Sequence, residues 1–185
     1  MEATDAELIA VSLDNPRAFV AIFERHFESI SRYVRRRLSR MLADDLVAEV
    51  FATAFSRRFA YDLSRPDALP WLYGIAANLL RARARLERRE LYALAQTGID
   101  PVGAGGSDAV LGSALEPVLA RTLLELGPAD CEVLLLFALG DLSYEQIAEA
   151  LGLPVGTVKS RLNRARRFVR RRLTDVALTE EASHG

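Results

Sequence analysis

Residues 142–173, LSYEQIAEALGLPVGTVKSRLNRARRFVRRRL, constrain this chain more than any other stretch. They read as two helices joined by a tight turn. Ser143 offers an N-cap and Gln146 stands three residues later, the reciprocal pair of a capping box. Ile147, Ala148 and Leu151 give an apolar face at helical spacing. Gly152 can close that helix at positive φ, and Pro154 with Gly156 suits the opening of the next. The second helix, from about Val155 to Leu173, repeats Val158, Leu162, Ala165, Val169 and Leu173 every three or four residues, which makes one buried stripe. Lys159, Arg164, Arg166, Arg167, Arg170 and Arg171 fall off that stripe, and no acid occurs between Gly156 and Leu173. A short helix, a glycine turn and a basic helix form the helix-turn-helix plan, whose second helix enters a major groove of DNA. The competing reading is a solvated basic face on an ordinary helix hairpin.

The remaining composition narrows the class. Half of the 185 residues are hydrophobic, so a real core can be buried. Ala, Leu, Arg and Glu dominate, which favours an all-α protein. The net charge of −1 conceals a division. Basic residues gather in 32–40, 81–89 and 159–172, whereas acids gather near the termini and in 44–49. Such local patches set the field that a phosphate backbone meets.

Cys131 is the single cysteine, so neither an internal disulfide nor a cysteine metal cluster can form; it reads as a small buried hydrophobe. His26 and His184 are the only histidines. No metal site, cofactor or catalytic residue is therefore expected, and a small hydrolase or nuclease lacks its chemistry. The acidic start at 1–5 does not resemble a signal peptide, and the longest apolar run, 133–139, is too short for a bilayer. A soluble cytoplasmic protein without membrane insertion is expected.

Taken in order, residues 1–15 predict a short helix or a frayed arm. Asn15 and Pro16 then cap a long helix with Phe19, Phe23, Phe27, Ile30, Val34 and Leu38 on one core face. Asp44 and Asp45 open a second helix, which buries Leu46, Val47, Val50, Phe51, Ala54 and Phe55. Asp45, Ala48, Glu49 and Ala52 lie on its other side, where they are either solvated or receive a basic partner helix. Residues 57–69 read as a loop, with Phe59 and Tyr61 either folded back on the core or forming a rim on which a base stacks. Pro70 begins a third helix with the stripe Trp71, Leu72, Ile75, Ala76 and Leu79, followed by an arginine-rich end.

Residues 95–112 lose the periodicity and read as a flexible Gly/Asp/Ser/Pro linker. A second helical unit opens at 115–126, and Gly127–Pro128 breaks it from an apolar helix ending near Gly140. The helix-turn-helix follows, then a polar tail. The expected architecture is all-α: two small helical domains, 1–94 and 113–174, a linker at 95–112, and a disordered acidic tail at 175–185.

At this point the motifs resemble a known family. FERHFESISRYVRRRL, DDLVAEVFATAFSR, PWLYGIAANLLRARARLERR and ELGPADCEVLLLFALGDLSYEQIAEALGLPVGTVKSRLNRARRFVRRRL stand in the order found in bacterial RNA polymerase sigma factors of the extracytoplasmic-function (ECF) group. The resemblance spans about Phe19 to Leu173. It implies a protein that is not an enzyme, binds core RNA polymerase and directs initiation at chosen promoters. It implies that the helix after Asp44 docks on a polymerase coiled coil through Asp45 and Glu49, with Ala48 where the family often has Gln. It also implies −10 recognition and melting by Phe59, Tyr61, Asn78, Arg81 and Arg85, although Arg81, Ala82 and Arg83 stand where the family often has Asp.

For the −35 element the resemblance implies Thr157, Lys159, Ser160, Arg161, Arg164 and Arg167. An arginine in the first turns of that helix can pair with a guanine edge, worth roughly 1–3 kcal/mol of discrimination. Arg167, Arg170 and Arg171, further along, suit phosphates. An anti-sigma factor covering both domains is a further implied partner. The alternatives are a stand-alone helix-turn-helix regulator and a sigma-like adaptor that does not act with core polymerase. Neither explains the Trp-Leu-Tyr-Gly-Ile-Ala-Ala-Asn block as fully.

Overall fold

The computed structural model describes residues 3–96 and 117–183. The described residues form eight α-helices and two 3-10 turns, with no strand among them. The segment expected to be a linker lies mostly outside the described residues.

The first half begins with α1, Asp5–Asp14, started by a capping box between Thr4 and Glu7. A 3-10 turn, Pro16–Phe19, leads into α2, Val20–Arg35. The expected single helix through Leu38 is therefore shorter at both ends. Phe19 and Leu38 are buried, but from the turns that flank α2. Phe23 and Phe27 are also less enclosed than their spacing suggests, at 40% and 37% exposed. They pair with each other and lean on Phe51, so they lie at the border of the core.

Next comes α3, Arg40–Arg57, which starts a turn earlier than its acids suggest. Its Leu46, Val47, Val50, Phe51 and Ala54 are buried, whereas Asp45, Ala48, Glu49 and Ala52 are exposed. A 3-10 turn, Arg58–Ala60, and a loop then lead to α4, Leu69–Gln96, which passes the expected domain limit at 94.

A buried polar clasp holds α1 in place. The Asp5 carboxylate accepts from Arg25, from His26 Nε2 at 2.7 Å and from the Ala68 backbone N–H at 2.8 Å. Burial alone would raise this carboxyl, but the His26, Ala68 and Arg25 contacts outweigh it and hold it at about 2. Asp5, His26 and Asp67 bring one potential ligand atom each within 4.8 Å of one another. Their carboxylates are already engaged: those of Asp5 as above, those of Asp67 by the Leu69 N–H and by Gln146.

The second half contains α5, Pro117–Glu125, α6, Pro128–Gly140, α7, Tyr144–Leu151, and α8, Val155–Ser183. The capping box of Ser143 with Gln146 is present, and Gly152 takes φ 64° as the turn requires. The disordered tail expected from 175 is corrected: α8 continues through Ser183. No Gly or Pro interrupts 157–183, and Ala, Leu and Glu favour helix there. The stripe of α8 weakens outward, since Val158, Leu162 and Ala165 are buried while Leu173 is 38% exposed.

The two halves do not merely hang from a tether. Their buried side chains form one continuous cluster. Tyr73 of α4 stacks edge-on against Tyr33, at 5.1 Å, and its ring lies beside Gly140 at the end of α6. Below it, Tyr33 donates to Glu132 of α6 at 2.6 Å and Arg37 pairs with the same carboxylate at 2.8 Å. All three are buried. Burial would lower the Arg37 guanidinium, but the Tyr33 oxygen and the Glu132 carboxylate raise it instead.

Candidate nucleic-acid interface

Two surfaces carry the DNA-contact candidates singled out from the sequence. The first is α8. Its start is fixed by the αL turn at Gly152, and Val158 and Leu162 anchor its inner face, so the polar side chains project from a rigid rod. Lys159, Ser160, Arg164 and Arg167 are exposed; Thr157 and Arg161 are half-buried. The Ser160 hydroxyl donates back to the Thr157 carbonyl at 3.0 Å.

Not every cation on α8 is equally available. Arg164 forms a forked pair with Asp130 of α6, one arm at 2.6 Å, and these hydrogen bonds keep the Asp130 carboxyl below its usual range. Arg166 lies over the Phe137 ring at 4.4 Å, and Arg172 pairs with Glu125. Lys159 sits 5.8 Å from the Tyr144 ring centre. Arg167, Arg170 and Arg171 have no ion pair among the described residues. Intramolecular partners thus divide the basic run into side chains that brace the helix and side chains that face outward.

The second surface is the loop before α4 and the first turns of α4. Phe59 projects into solvent at 75% exposed. Tyr61 instead folds inward, 7% exposed, donating to the Arg65 carbonyl at 2.8 Å and packing on Trp71 at 5.0 Å. The two aromatic residues of this loop therefore take opposite fates: one is a platform, the other a wall. Asn78 is exposed and its Oδ1 accepts from Arg81 at 2.6 Å. Arg81 also donates to the Ala77 carbonyl at 3.2 Å, while Arg85 is exposed further along.

Tyr61, Trp71, Asn78, Arg57 and Arg65 line a cavity of about 260 Å³ with Glu149 and Ala150 of α7. Arg57, Arg65, Glu149 and Ala150 are not expected at a site from the sequence. Trp71, which the sequence offers both as part of the apolar stripe and as the aromatic start of a DNA-binding strip, packs against the core and lines the cavity. The contribution of α7 has no local signal, because it comes from a helix more than 70 residues away.

The candidate polymerase-docking residues, Asp45 and Glu49, are both exposed on α3, four residues apart on one face. The structure brings them together with the small residues Ala48 and Ala52. Neither these residues nor those of α8 line the cavity, to which only Tyr61 and Asn78 of the sequence-derived candidates contribute.

Comparison with known proteins assigns this arrangement. Residues 22–90 match the family model "Sigma-70 region 2", and residues 118–169 match "Sigma-70, region 4". These two matches define the class, a sigma-70-type transcription initiation factor. The chain is 31% identical over 170 residues to the ECF RNA polymerase sigma factor SigW of Bacillus subtilis strain 168, covering 86% of this chain and 90% of that protein. The structure of CnrH in complex with the cytosolic domain of CnrY is similar at TM-score 0.65 and 26% identity, covering 92% of this chain and 97% of that one. A structure of the sigma factor RpoE with the anti-sigma factor NepR from Bartonella quintana shares the fold at TM-score 0.58 and 22% identity, with coverage of 87% and 97%. The chain belongs to the ECF group of RNA polymerase sigma factors.

Proposed function

We propose that this sigma factor divides its labour among three surfaces. The acidic face of α3, through Asp45 and Glu49, docks on core RNA polymerase. The first turns of α8 read the −35 element, with Arg161 at base edges, Arg167 on phosphate and Arg164 braced on Asp130 beside them. The loop at Phe59 and the start of α4 capture bases of the −10 element. Domain limits of 1–94 and 113–174, extended to Gln96 by the length of α4, match these roles.

The protein performs no covalent chemistry in this reading. Opening is driven by binding: stacking a base on Phe59 contributes roughly 1–3 kcal/mol, offsetting the cost of unpairing. Asn78 hydrogen-bonds an extruded base, Tyr61 supports the cavity wall, and Arg81 with Arg85 holds the strand. Two modest contacts on one frame raise effective concentration and sharpen promoter choice. The site of action is the cytoplasm. No described helix is long and apolar enough to cross a membrane. CnrH forms a complex with the cytosolic domain of CnrY, and RpoE one with the anti-sigma factor NepR; an anti-sigma partner for this chain follows from those likenesses.

The observation that carries this reading is the outward cationic face of α8 on a capped, αL-closed helix-turn-helix, joined to a sigma region 2 match in the same chain. The region 2 match leaves a stand-alone regulator without an account of residues 22–90. Run-off transcription with core polymerase on a promoter library tests it. Transcripts that require both this protein and a particular −35/−10 pair are expected. Initiation that is equal with and without the protein would overturn it.

A further inference from the structure

The helix α1 precedes the residues matched to sigma-70 region 2, yet groups at both of its ends engage the Phe59 loop. The first N–H groups and the last C=O groups of any helix lack partners within it. At the start of α1, the Asp5 N–H donates to the Pro66 carbonyl at 3.0 Å, and the Asp5 carboxylate accepts from the Ala68 N–H at 2.8 Å. Near its end, the Ser12 carbonyl accepts from Arg58 Nε at 3.2 Å. Arg58 immediately precedes Phe59, and Ala68 immediately precedes α4. Ten residues of helix make a rod of about 15 Å, so α1 lies across the foot of the loop and fixes both of its ends.

We propose that α1 is a positioning element for promoter opening: by clamping Arg58 at one end of the loop and Ala68 at the other, it presents Phe59 and the start of α4 in the geometry that receives an unpaired base. This rests on the reading of the Phe59 loop as the base-capturing surface. In this role α1 touches no base. Asp5 is 3% exposed, so its effect passes through the loop.

The loop has little core of its own to hold it. Among residues 58–68 only Tyr61 and Ala68 are buried. Its internal bonds, from Tyr61 to the Arg65 carbonyl and from Ser64 to Asp62, shape the turn but do not tie its ends. Those ties come from α1, and each is braced from a further side. Arg25 donates to one Asp5 oxygen, and His26 Nε2 lies 2.7 Å from the other. One buried carboxylate thus joins α1, α2 and the foot of α4, with the donors that a buried charge requires. At the other end, the Arg58 guanidinium also donates to the Phe55 carbonyl at 2.6 Å and lies over the Phe55 ring at 3.9 Å. The residue before Phe59 is therefore fixed by α1 and α3 together. A surface ordered before its ligand arrives does not lose that ordering entropy on binding, whereas a stacking ring on a loose loop would.

The test uses full-length variants reconstituted with core polymerase and reads the rate at which −10 thymines become permanganate-reactive. Asp5→Ala should slow opening by about tenfold, the equivalent of one hydrogen bond to a charged group. Arg58→Ala releases the other end without disturbing the buried carboxylate, and carries the same expectation on its own. Asp5→Asn keeps an oxygen for the Ala68 N–H and should recover most of the wild-type rate. Core association and −35 nuclease protection should be unchanged in all three. Ile22→Val weakens the core of the same half without touching either tie, and should open the promoter at the wild-type rate. Wild-type opening by both Asp5→Ala and Arg58→Ala would overturn the proposal. So would equal slowing by Ile22→Val, since α1 would then contribute stability alone. Phe59→Ala separates the proposal from the reading beneath it. Slow opening by Phe59→Ala, with Asp5→Ala and Arg58→Ala unchanged, leaves base capture standing and overturns the positioning role alone. Opening by Phe59→Ala at the wild-type rate would overturn base capture and the positioning role together.

Discussion

The helices α8 and α4 both carry arginines on a face meant for nucleic acid, yet the fold treats them differently. On α8, Arg167, Arg170 and Arg171 face outward, and braces such as Arg164–Asp130 and Arg166–Phe137 lock the helix against α6. On α4, Asn78, Arg81 and Arg85 are exposed, but the cavity beside Asn78 is walled in part by Glu149 and Ala150 of α7, and Arg65, at its edge, is bound to Glu149. One reader is presented ready-formed; the other is engaged by its own chain. The difference teaches that a basic or aromatic motif defines what a surface can bind, whereas its neighbours decide when it is available.

The seam between the halves is the first place to break this contrast. Glu132→Ala strands the buried Arg37 guanidinium, and removing one partner of a buried pair costs roughly 3–5 kcal/mol. Urea denaturation followed by the fluorescence of Trp71, the single tryptophan, should show a loss of that size. A loss under about 1 kcal/mol would mean that the seam is loose and α4 is as open as α8.

On the presented helix, Arg161→Ala should cost roughly 1–3 kcal/mol, or about fivefold to 150-fold, in −35-dependent transcription. Association with core polymerase should be unchanged. Equal loss of both would make the α8 face structural.

The α1 clasp sharpens the comparison from the acid side. Asp5 sits at about 2 in the folded chain against 3.8 unfolded. Its contribution is present in full above about pH 5 and is lost as pH falls through 4 towards 2, amounting to about 2 kcal/mol. Asp5→Asn should remove that part of the acid limb in a pH series of denaturation curves. The smallest effect expected is that of Ser143→Ala, which deletes the α7 capping box for about 1 kcal/mol, measured as a lower urea midpoint.

Much of this was legible in the chain itself. The Ser143–Gln146 pair, Gly152 and the Val158–Leu162–Ala165 stripe specify local geometry, and the helix-turn-helix appears where they place it. The exposed set Asp45, Ala48, Glu49 and Ala52 was readable for the same reason, because period and burial agree. What failed was of two kinds. Helix ends differ from the charge pattern at Arg40 and Ser183: α3 begins directly after Ser39, and α8 continues through a run without Gly or Pro. The roles of Arg65, Glu149 and Gly74, which lies against the Ala150 carbonyl, were hidden, since each depends on a partner distant in sequence. A glycine within a helix was the single local sign of that approach, and periodicity alone gives it no meaning.

The most direct measurement pairs permanganate reactivity with nuclease footprinting of promoter DNA in reconstituted holoenzyme, comparing wild type, Phe59→Ala and Arg161→Ala. The account predicts that Phe59→Ala loses thymine reactivity in the −10 region while the −35 protection persists, and that Arg161→Ala loses the −35 protection first. Identical loss of both signals in both variants, or loss in neither, would contradict the division of labour between α4 and α8.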